Sequence, residues 1–310
     1  MGKLIDGQWV LGSIISSDDK GAYDRKPRTF RDVISADHEF YTPESGRYHL
    51  FVGYACPWAH RTLIYRELKA LEPHISISVV HPDMLEMGWT FATDFPGTTG
   101  DDLLGKEYLH QIYQAAQADI STSATVPILW DKKTQSIVNN ESSEIIRILN
   151  TAFNELTGNS DDYYPEPLRH DIDSWNEKIY HHVNNGVYRS GFARNQQAYE
   201  EAVTGLFTVL DEIETQLTGR DFLVGDRLTE ADIRLIPTLL RFDLVYHGHF
   251  KANIRRIKDY VNLSRYTKQL YALEAVKKTT HFDHIKRHYY YSHESINPLR
   301  IVPVGPAEFV

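Results

Sequence analysis

Cys56 is the only cysteine of the 310-residue chain, and it lies where a predicted strand passes into a predicted helix. Pro57 suits the first turn of a helix, because a backbone N–H is not needed there. Amides and the dipole at a helix N-terminus stabilise a thiolate, which is the reactive form of cysteine. The sequence therefore predicts a nucleophilic Cys56 rather than a small buried side chain. Arg61, about one turn further on, is expected either to add positive charge or to lie on the surface.

The residues around Cys56 limit the chemistry that the thiol can complete. A dithiol motif would have a second cysteine at position 59, where the chain has Ala59. Any mixed disulfide formed at Cys56 must therefore be cleared by an external thiol. A single cysteine also excludes intramolecular disulfides, which is typical of a reducing compartment, and we expect a cytoplasmic protein.

Alternating strands and helices surround Cys56 in the first half of the chain. We predict strands at 48–53, 75–80, 125–130 and 136–139, and helices from Pro57, at about 106–118 and from Glu141. Residues 82–104 are rich in Gly, Pro and Asp and form an insertion. The order strand, helix, strand, helix, strand, strand, helix predicts a four-stranded mixed sheet covered by helices.

The second half of the chain is helical by its hydrophobic periodicity. Helices are predicted at about 166–184, 196–217, 229–244 and 262–275, after a polar linker at 151–165. Thr229 and Asp232 form a capping signature for the third of these helices. The fold class is therefore α/β plus all-α, with an irregular N-terminal arm at 1–45, an α/β domain at 46–155, a helical domain at 165–280 and an extension at 281–310.

Composition excludes several classes of function. The net charge is −9 and basic residues are mixed with acidic ones, which argues against a nucleic-acid surface. No apolar run approaches the roughly 20 residues of a membrane span, and the polar N-terminus leads us to expect no secretory signal. No glycine-rich phosphate loop is present, so we expect no nucleotide. His281, His284 and His288 have helical spacing but lack carboxylate or cysteine company, so we expect no metal.

Three short segments resemble the glutathione site of thioredoxin-fold glutathione transferases: Cys56-Pro57-Trp58-Ala59, Val126-Pro127 and Glu141-Ser142. The resemblance implies that Pro127 is a cis-proline and that Val126 offers its backbone to the peptide part of glutathione. It also implies that Glu141 binds the γ-glutamyl ammonium and that Ser142 binds the γ-glutamyl carboxylate at a helix start.

Longer segments resemble one class of that superfamily, the glutathionyl-hydroquinone reductases or xi-class glutathione transferases. They are Gly88-Trp89-x-Phe91, the segments at 125–131 and 137–142, and the C-terminal His288-Tyr289-Tyr290-x-Ser292-His293-x-x-Ile296-Asn297-Pro298. The resemblance implies a thioredoxin-like first domain, a helical second domain of glutathione transferase type and an extension that covers the active site. It further implies a homodimer that uses glutathione as co-substrate and glutathione conjugates of hydroquinones as substrates.

The same resemblance assigns roles to individual residues. Cys56 attacks the glutathione sulfur of the conjugate, and a second glutathione clears the mixed disulfide. The implied catalytic residues are Cys56, Tyr188 and Tyr289, and the implied substrate-binding residues are Trp89, Val126, Glu141, Ser142, Tyr246 and Tyr290. Tyrosine suits this task, because its ring stacks on a quinol and its hydroxyl donates a proton. Either Tyr289 or Tyr290 is expected to face the site.

The segment before Thr125 departs from the pattern of this class. The class usually has an arginine there that helps to bind glutathione, whereas this chain has Ile120-Ser121-Thr122-Ser123-Ala124. Another cation, a weaker affinity or a different resolving thiol would each account for the change. Two further functions stay open: an omega-like thiol transferase or dehydroascorbate reductase, and a non-enzymatic ligand-binding module. A nucleophile at a helix start disfavours the binding module.

Overall fold

The computed structural model describes residues 2–12, 16–17, 21, 23–24 and 27–306. The chain divides into two compact units. The first unit consists of the segments Met1–Ile14, Lys26–Asp161 and Thr279–His288, and the second of Ile15–Arg25, Asp162–Lys278 and Tyr289–Val310. Parts of the predicted arm and of the predicted extension lie outside the described residues, namely 1, 13–15, 18–20, 22, 25–26 and 307–310.

A four-stranded mixed sheet forms the centre of the first unit, as the sequence predicts. The described strands are β1 (Gly2–Ile5), β2 (Gln8–Leu11), β3 (Ser16–Ser17), β4 (Tyr23–Asp24), β5 (Tyr48–Val52), β6 (Ser76–Val79), β7 (Met84–Leu85), β8 (Gly88–Trp89), β9 (Ile128–Asp131) and β10 (Ser136–Asn139). The large sheet has the order β10-β9-β5-β6. Strand β5 pairs parallel with β6 and antiparallel with β9, and β9 pairs antiparallel with β10.

Strand β5 is one of the two inner strands of this sheet, and all five of its residues are buried. Burial on both faces is typical of a strand covered by helices on either side. The register pairs Phe51 with Ile128 across the antiparallel β5–β9 ladder. The end of β5 and the start of β9 therefore meet at one edge of the sheet, which is where Cys56 and Val126 are positioned.

Four helices accompany the sheet: α1 (Pro57–Leu68), α2 (Leu109–Ala116), α3 (Ser142–Thr151) and α4 (Asn154–Thr157). Helix α3 buries Ile145, Ile146 and Leu149 on one face, which is the apolar stripe seen in the sequence. Helix α2 is shorter than the stretch predicted for it, and strand β9 begins at Ile128 rather than at position 125. The insertion predicted at 82–104 contains the small β7–β8 hairpin.

The second unit is helical, which confirms the predicted all-α domain. Its helices are a 3₁₀ turn (Glu166–Leu168), α5 (Arg169–Lys178), a π turn (Ile179–Asn184), α6 (Gly186–Gly191), α7 (Gln196–Gln216), α8 (Glu230–Arg241), a π turn (Phe242–Tyr246), a 3₁₀ turn (Ile257–Asp259), α9 (Val261–Tyr271) and α10 (Glu274–Lys278). Helix α11 (Phe282–Ser292) follows. The helix predicted at 229–244 thus ends in a π turn. Nowhere in the part of the chain that the structure describes is a helix long and apolar enough to cross a membrane.

The capping signature at the start of α8 is present as predicted. The Asp232 carboxylate accepts hydrogen bonds from the Thr229 N–H at 2.8 Å and from the Thr229 hydroxyl at 3.0 Å. It also accepts from the Tyr266 hydroxyl at 2.7 Å and from the Leu223 N–H at 2.9 Å. A fully buried carboxylate with this many donors fixes the start of α8 and ties it to α9 and to the loop before it.

Candidate active site

Cys56 immediately precedes helix α1, with an extended backbone at φ −80° and ψ 121°. Its N–H donates to the Gly53 carbonyl at 2.9 Å, and its carbonyl accepts from the His60 N–H at 3.0 Å. The half-buried thiol lies 3.6 Å from the Val126 carbonyl oxygen. The sulfur therefore sits at the positive end of the α1 dipole, in the turn that the sequence predicts.

Val126 faces Cys56 from the segment that leads into β9. The Val126–Pro127 peptide bond is cis, which confirms the conformation expected from the resemblance. A Cβ on Gly53 would approach the Val80 Cγ2 at 3.0 Å, which is tight, and would lie at ordinary contact distance from the Val126 Cγ2, at 3.4 Å. Gly53 thus lets the backbone before Cys56 pack closely against Val80.

Trp89 is buried at the end of the β7–β8 hairpin, with 6% of its surface exposed. Its ring stacks on His288 at a centroid distance of 4.6 Å and an interplanar angle of 19°. His288 is held in turn by the Pro82 carbonyl, which accepts from its Nδ1 at 2.8 Å. The stacked His288 ring of helix α11 therefore fixes the position of the Trp89 indole.

Glu141 and Ser142 lie at the start of helix α3. The Glu141 carboxylate accepts from the Ser143 N–H at 3.0 Å and from the Ser143 hydroxyl at 2.9 Å, while Ser142 is buried as the first helical residue. Burial raises the pKa of Glu141, but the Ser143 hydrogen bonds and the charges of Arg28 and Arg61 bring it below its usual value. Glu141 is therefore an anion suited to an ammonium group.

Tyr113 joins the two turns of this site and was not foreseen from the sequence. Its hydroxyl donates to the Thr125 carbonyl at 2.8 Å and accepts from the Asn140 side-chain amide at 3.1 Å. The residue before Val126 is thereby tied to the residue before Glu141. Tyr113 lies on the buried face of α2 beside Ile112, so its position in the sequence indicates only a core residue.

Arg61 is buried, with 1% of its surface exposed. Of the two alternatives predicted for Arg61, the surface location is therefore wrong. Its guanidinium carbon lies 4.8 Å from the centroid of the Trp58 ring, a cation–π distance. The charge of Arg61 is one of those that lower the pKa of Glu141, so this buried arginine contributes positive potential to the site.

Three tyrosine hydroxyls meet in the second unit, and we call Tyr188, Tyr246 and Tyr289 the tyrosine cluster. The Tyr289 hydroxyl lies 2.6 Å from that of Tyr188 and 2.8 Å from that of Tyr246. Burial, followed by the neighbouring Tyr188 and Tyr246, raises the pKa of Tyr289 well above its usual value, so it stays protonated. The two hydroxyl–hydroxyl bonds use two of the three hydroxyl protons of the cluster.

Tyr290 takes a different direction from Tyr289. Its hydroxyl donates to the Leu244 carbonyl at 3.3 Å, and its ring lies 4.8 Å from that of His249. Of the two neighbouring tyrosines left open by the sequence, the structure brings Tyr289 into the tyrosine cluster and leaves Tyr290 outside it.

The histidines in helix α11 and directly before it contact carbonyls and aromatic rings rather than converging on one point. His284 Nε2 lies 2.6 Å from the Pro96 carbonyl, and His281 stacks on Tyr54 at 3.6 Å. Burial, followed by the nearby His284, lowers the pKa of His281 to about 4. Within the residues described, no group of three or more His, Cys, Asp or Glu side chains could hold a metal ion.

Comparison with known families matches both halves of the chain. Residues 55–152 match the model of the glutathione S-transferase N-terminal domain, and residues 196–269 match that of the glutathione S-transferase C-terminal domain. The first match includes Cys56, Val126 and Glu141, and the second includes Tyr246. The fold and the turn at Cys56 are thus those of a glutathione transferase.

Individual relatives narrow the class. The chain is 53% identical to the glutathionyl-hydroquinone reductase PcpF of Sphingobium chlorophenolicum, over 99% of this chain and 97% of the relative. The crystal structure of glutathione transferase Xi from Phanerochaete chrysosporium matches with a TM-score of 0.93 at 51% identity, over 95% of this chain and 96% of the other. The glutathione-bound structure of YqjG from Escherichia coli K-12 matches with a TM-score of 0.91 at 48% identity, over 99% and 96%. The chain belongs to the glutathionyl-hydroquinone reductases, the xi class of glutathione transferases.

Proposed function

We propose that this protein uses glutathione to reduce glutathionyl-hydroquinones, giving the free hydroquinone and oxidised glutathione. The observation that carries the proposal is the Cys56 thiol at the start of α1, 3.6 Å from the carbonyl oxygen of Val126. A nucleophilic sulfur beside a backbone segment that can pair with a peptide is the arrangement that thiol transfer to glutathione requires.

The tripeptide is held along the edge of the sheet in this proposal. Val126 pairs through its backbone with the cysteinyl residue of glutathione, which brings the glutathione sulfur to Cys56. Glu141 binds the γ-glutamyl ammonium, since its carboxylate is ionised, and Ser142 with the first amides of α3 binds the γ-glutamyl carboxylate. Trp89 closes the other side of the site.

The reaction proceeds in two sulfur transfers. The Cys56 thiolate attacks the glutathione sulfur of the conjugate, an S–S bond forms, and the bond from sulfur to the ring carbon breaks. The substrate reacts as its keto tautomer, in which the sulfur-bearing ring carbon has already taken up a proton, so the electron pair of the broken bond passes into a dienolate. Protonation of the dienolate oxygen then yields the hydroquinone. A second glutathione thiolate then attacks the mixed disulfide, releasing oxidised glutathione and the Cys56 thiolate.

In this proposal the tyrosine cluster binds the hydroquinone part of the conjugate and protonates the dienolate oxygen. Tyr289 stays neutral and therefore remains a proton donor, and Tyr188 and Tyr246 hold its hydroxyl in place. A phenol oxygen of the substrate accepts a hydrogen bond from the cluster, which stabilises the negative charge that develops as the carbon–sulfur bond breaks. Tyr290 supports the same region by its ring.

The remaining assignments follow the family. Glutathione is the proposed resolving thiol, since Ala59 leaves no second cysteine in the motif. A homodimer in the cytoplasm is the proposed form and place of the protein, and the absence of any second cysteine suits a reducing compartment.

The Cys56→Ser variant tests this function. We expect its turnover of a glutathionyl-hydroquinone to fall at least about a thousandfold, because a hydroxyl cannot form the mixed disulfide. Incubating the wild-type protein with the conjugate and no free thiol should add the mass of one glutathione to Cys56. Dehydroascorbate and hydroxyethyl disulfide serve as competing substrates, and faster turnover of either would favour an omega-like thiol transferase. Full hydroquinone turnover by Cys56→Ser would exclude the proposed mechanism.

A further inference from the structure

A segment of the N-terminal arm runs antiparallel beside the end of strand β10, and we call residues 28–32 the arm segment. The Asp32 N–H donates to the Val138 carbonyl at 3.0 Å. Arg31, the preceding residue of the arm, forms an isolated antiparallel bridge with Asn139, the following residue of β10. The two stretches therefore advance in opposite directions, one residue against one.

The register continues past the end of the strand. The Asn140 N–H donates to the Phe30 carbonyl at 3.1 Å, and the Phe30 N–H donates to the Asn140 side-chain oxygen at 3.2 Å. Arg28 lies two residues before Phe30 on the arm, and Glu141 and Ser142 directly follow Asn140 at the start of helix α3. The arm segment thus brings Arg28 near the turn that contains Glu141.

Electrostatics agrees with this placement. Burial raises the pKa of Glu141, yet the Ser143 hydrogen bonds and the charges of Arg28 and Arg61 hold the pKa below its usual value. The Arg28 guanidinium is therefore close enough to Glu141 for its charge to be felt. Arg28 is half-buried, and its side chain has no hydrogen bond or ion pair with any other residue that the structure describes.

The γ-glutamyl end of glutathione has two charges on one carbon, an α-ammonium and an α-carboxylate. An ammonium on Glu141 brings the ligand carboxylate close to the Glu141 carboxylate, and like charges repel at such distances. A guanidinium matches a carboxylate with two parallel hydrogen bonds and cancels its charge. The turn therefore needs a cation that the ligand can reach.

The other arginines near Glu141 are less suited to this task. Arg61 is 1% exposed and packs on Trp58, so a ligand cannot reach its guanidinium. Arg31 is engaged with Glu144, whose carboxylate accepts from the Arg31 Nε at 2.6 Å. Arg28 is half-buried rather than fully buried, and among the described residues it is not engaged with a carboxylate as Arg31 is, so it is the arginine that a ligand can reach.

We propose that Arg28 binds the α-carboxylate of the γ-glutamyl group, both in glutathione and in its conjugates. This inference rests on the proposed function, because it takes Glu141 and Ser142 as the place where that group binds. The arm segment would thereby supply the cation that residues 120–124 do not. Thr29, the neighbour of Arg28, lies beside that stretch, with its hydroxyl 3.1 Å from that of Thr122.

Ligand analogues test the inference when combined with the variant Arg28→Gln. Binding is measured by calorimetry in a Cys56→Ser background, so that no sulfur transfer occurs. The ligands are glutathione, γ-glutamylcysteine, and an analogue in which 4-aminobutanoyl replaces γ-glutamyl, which removes the α-carboxylate and keeps the ammonium. We expect Arg28→Gln to raise the dissociation constants of glutathione and γ-glutamylcysteine by a factor of about 10 to 100. The dissociation constant of the analogue should rise less than about twofold.

Arg31→Gln is the matched control, since it removes the same charge three residues along the same segment. It should change the dissociation constant of each ligand by less than about twofold, and circular dichroism should show both variants folded. Unchanged binding of glutathione by Arg28→Gln would overturn the inference. An equal loss for all three ligands would also overturn it, because Arg28 would then act through Glu141 or through the fold.

Turnover of a glutathionyl-hydroquinone by the wild-type protein is a separate measurement. If the ligand pattern depends on Arg28 but the conjugate is not turned over, the proposed function fails and the role of Arg28 stands. If turnover depends on Cys56 but Arg28→Gln has no effect on binding, the role of Arg28 fails and the proposed function stands.

Discussion

The Cys56 site and the tyrosine cluster are built in different ways. The Cys56 site uses chain turns and helix starts at one edge of a sheet, so its geometry comes largely from the backbone. The tyrosine cluster uses side-chain hydroxyls that come from α6, a π turn and α11. The first depends on local conformation, whereas the second depends on how three separate helical segments pack.

The two regions also shift the pKa values of their residues in opposite senses. The pKa of Glu141 is below its usual value because hydrogen bonds and arginine charges outweigh burial. The pKa of Tyr289 is raised well above its usual value, first by burial and then by the neighbouring tyrosines. One region holds a charge, which suits the proposed binding of a zwitterionic tripeptide, and the other keeps its hydroxyls neutral, which suits the proposed proton transfer to the leaving group.

Tyr289→Phe should give the largest difference between the two regions. It removes the central hydroxyl, and we expect kcat for a glutathionyl-hydroquinone to fall about 100-fold. Turnover of hydroxyethyl disulfide, which needs only Cys56 and the tripeptide site, should stay within about threefold. Tyr290→Phe is the matched control and should change neither rate by more than about threefold, since its hydroxyl lies outside the cluster. Equal losses for both substrates of Tyr289→Phe would show that the regions are not functionally distinct.

Glu141→Gln should instead affect both substrates alike. The variant cannot neutralise the γ-glutamyl ammonium, so we expect the KM for glutathione to rise about tenfold or more with either substrate. Steady-state kinetics at varied glutathione measures the effect, and kcat at saturation should change less than KM. Glu155→Gln, which removes an exposed carboxylate from α4, is the control. A KM that rises with only one substrate would contradict the assignment.

A smaller effect should distinguish the stability of the sheet that leads to the Cys56 site from that of the helical unit as the pH falls. His49 is buried in β5 between the Ser76 and Ser78 hydroxyls, and burial, followed by the charge of Lys132, lowers its pKa to about 4. The unfolded chain takes up the proton near pH 6.5, so stability is fully present above that pH and is lost as the pH falls toward 4. We expect a loss of about 3 kcal/mol, seen as faster amide exchange in β5 and β6 than in α7.

His49→Gln should flatten this dependence, because the substituted side chain does not titrate. His170→Gln changes an exposed histidine of α5 and should leave the pH dependence as it is in the wild type. If the acid-induced loss persists in His49→Gln, another group is responsible for it.

Sequence reasoning reached the Cys56 site because its parts are short and local. A proline after a cysteine, a Val-Pro pair and a Glu-Ser pair each fix one turn, and each turn is found where it was expected. Tyr113 was missed because its role arises from tertiary contacts to Thr125 and Asn140, which its position in an amphipathic helix does not reveal. The same limit applies to Arg28, since only the pairing of the arm with β10 shows what it approaches.

The tyrosine cluster could not be derived from spacing. Its members lie 58 and 43 residues apart, at 188, 246 and 289, and nothing local distinguishes them among the nineteen tyrosines of the chain. The resemblance to the family indicated them, but the choice between Tyr289 and Tyr290 needed the orientation of α11. Two π turns before α6 and after α8 also escaped prediction, because a π turn changes the helical phase without changing the hydrophobic pattern that predicts a helix.

The Tyr113 hydroxyl donates to the turn before Val126 and accepts from the turn before Glu141, so neither turn can shift without straining or losing a bond to the other. A ligand that orders one end of the tripeptide site therefore helps to order the other. In the proposed site, the cysteinyl and γ-glutamyl ends of glutathione then bind cooperatively. The whole tripeptide should therefore bind more tightly than the summed binding free energies of its separate fragments imply.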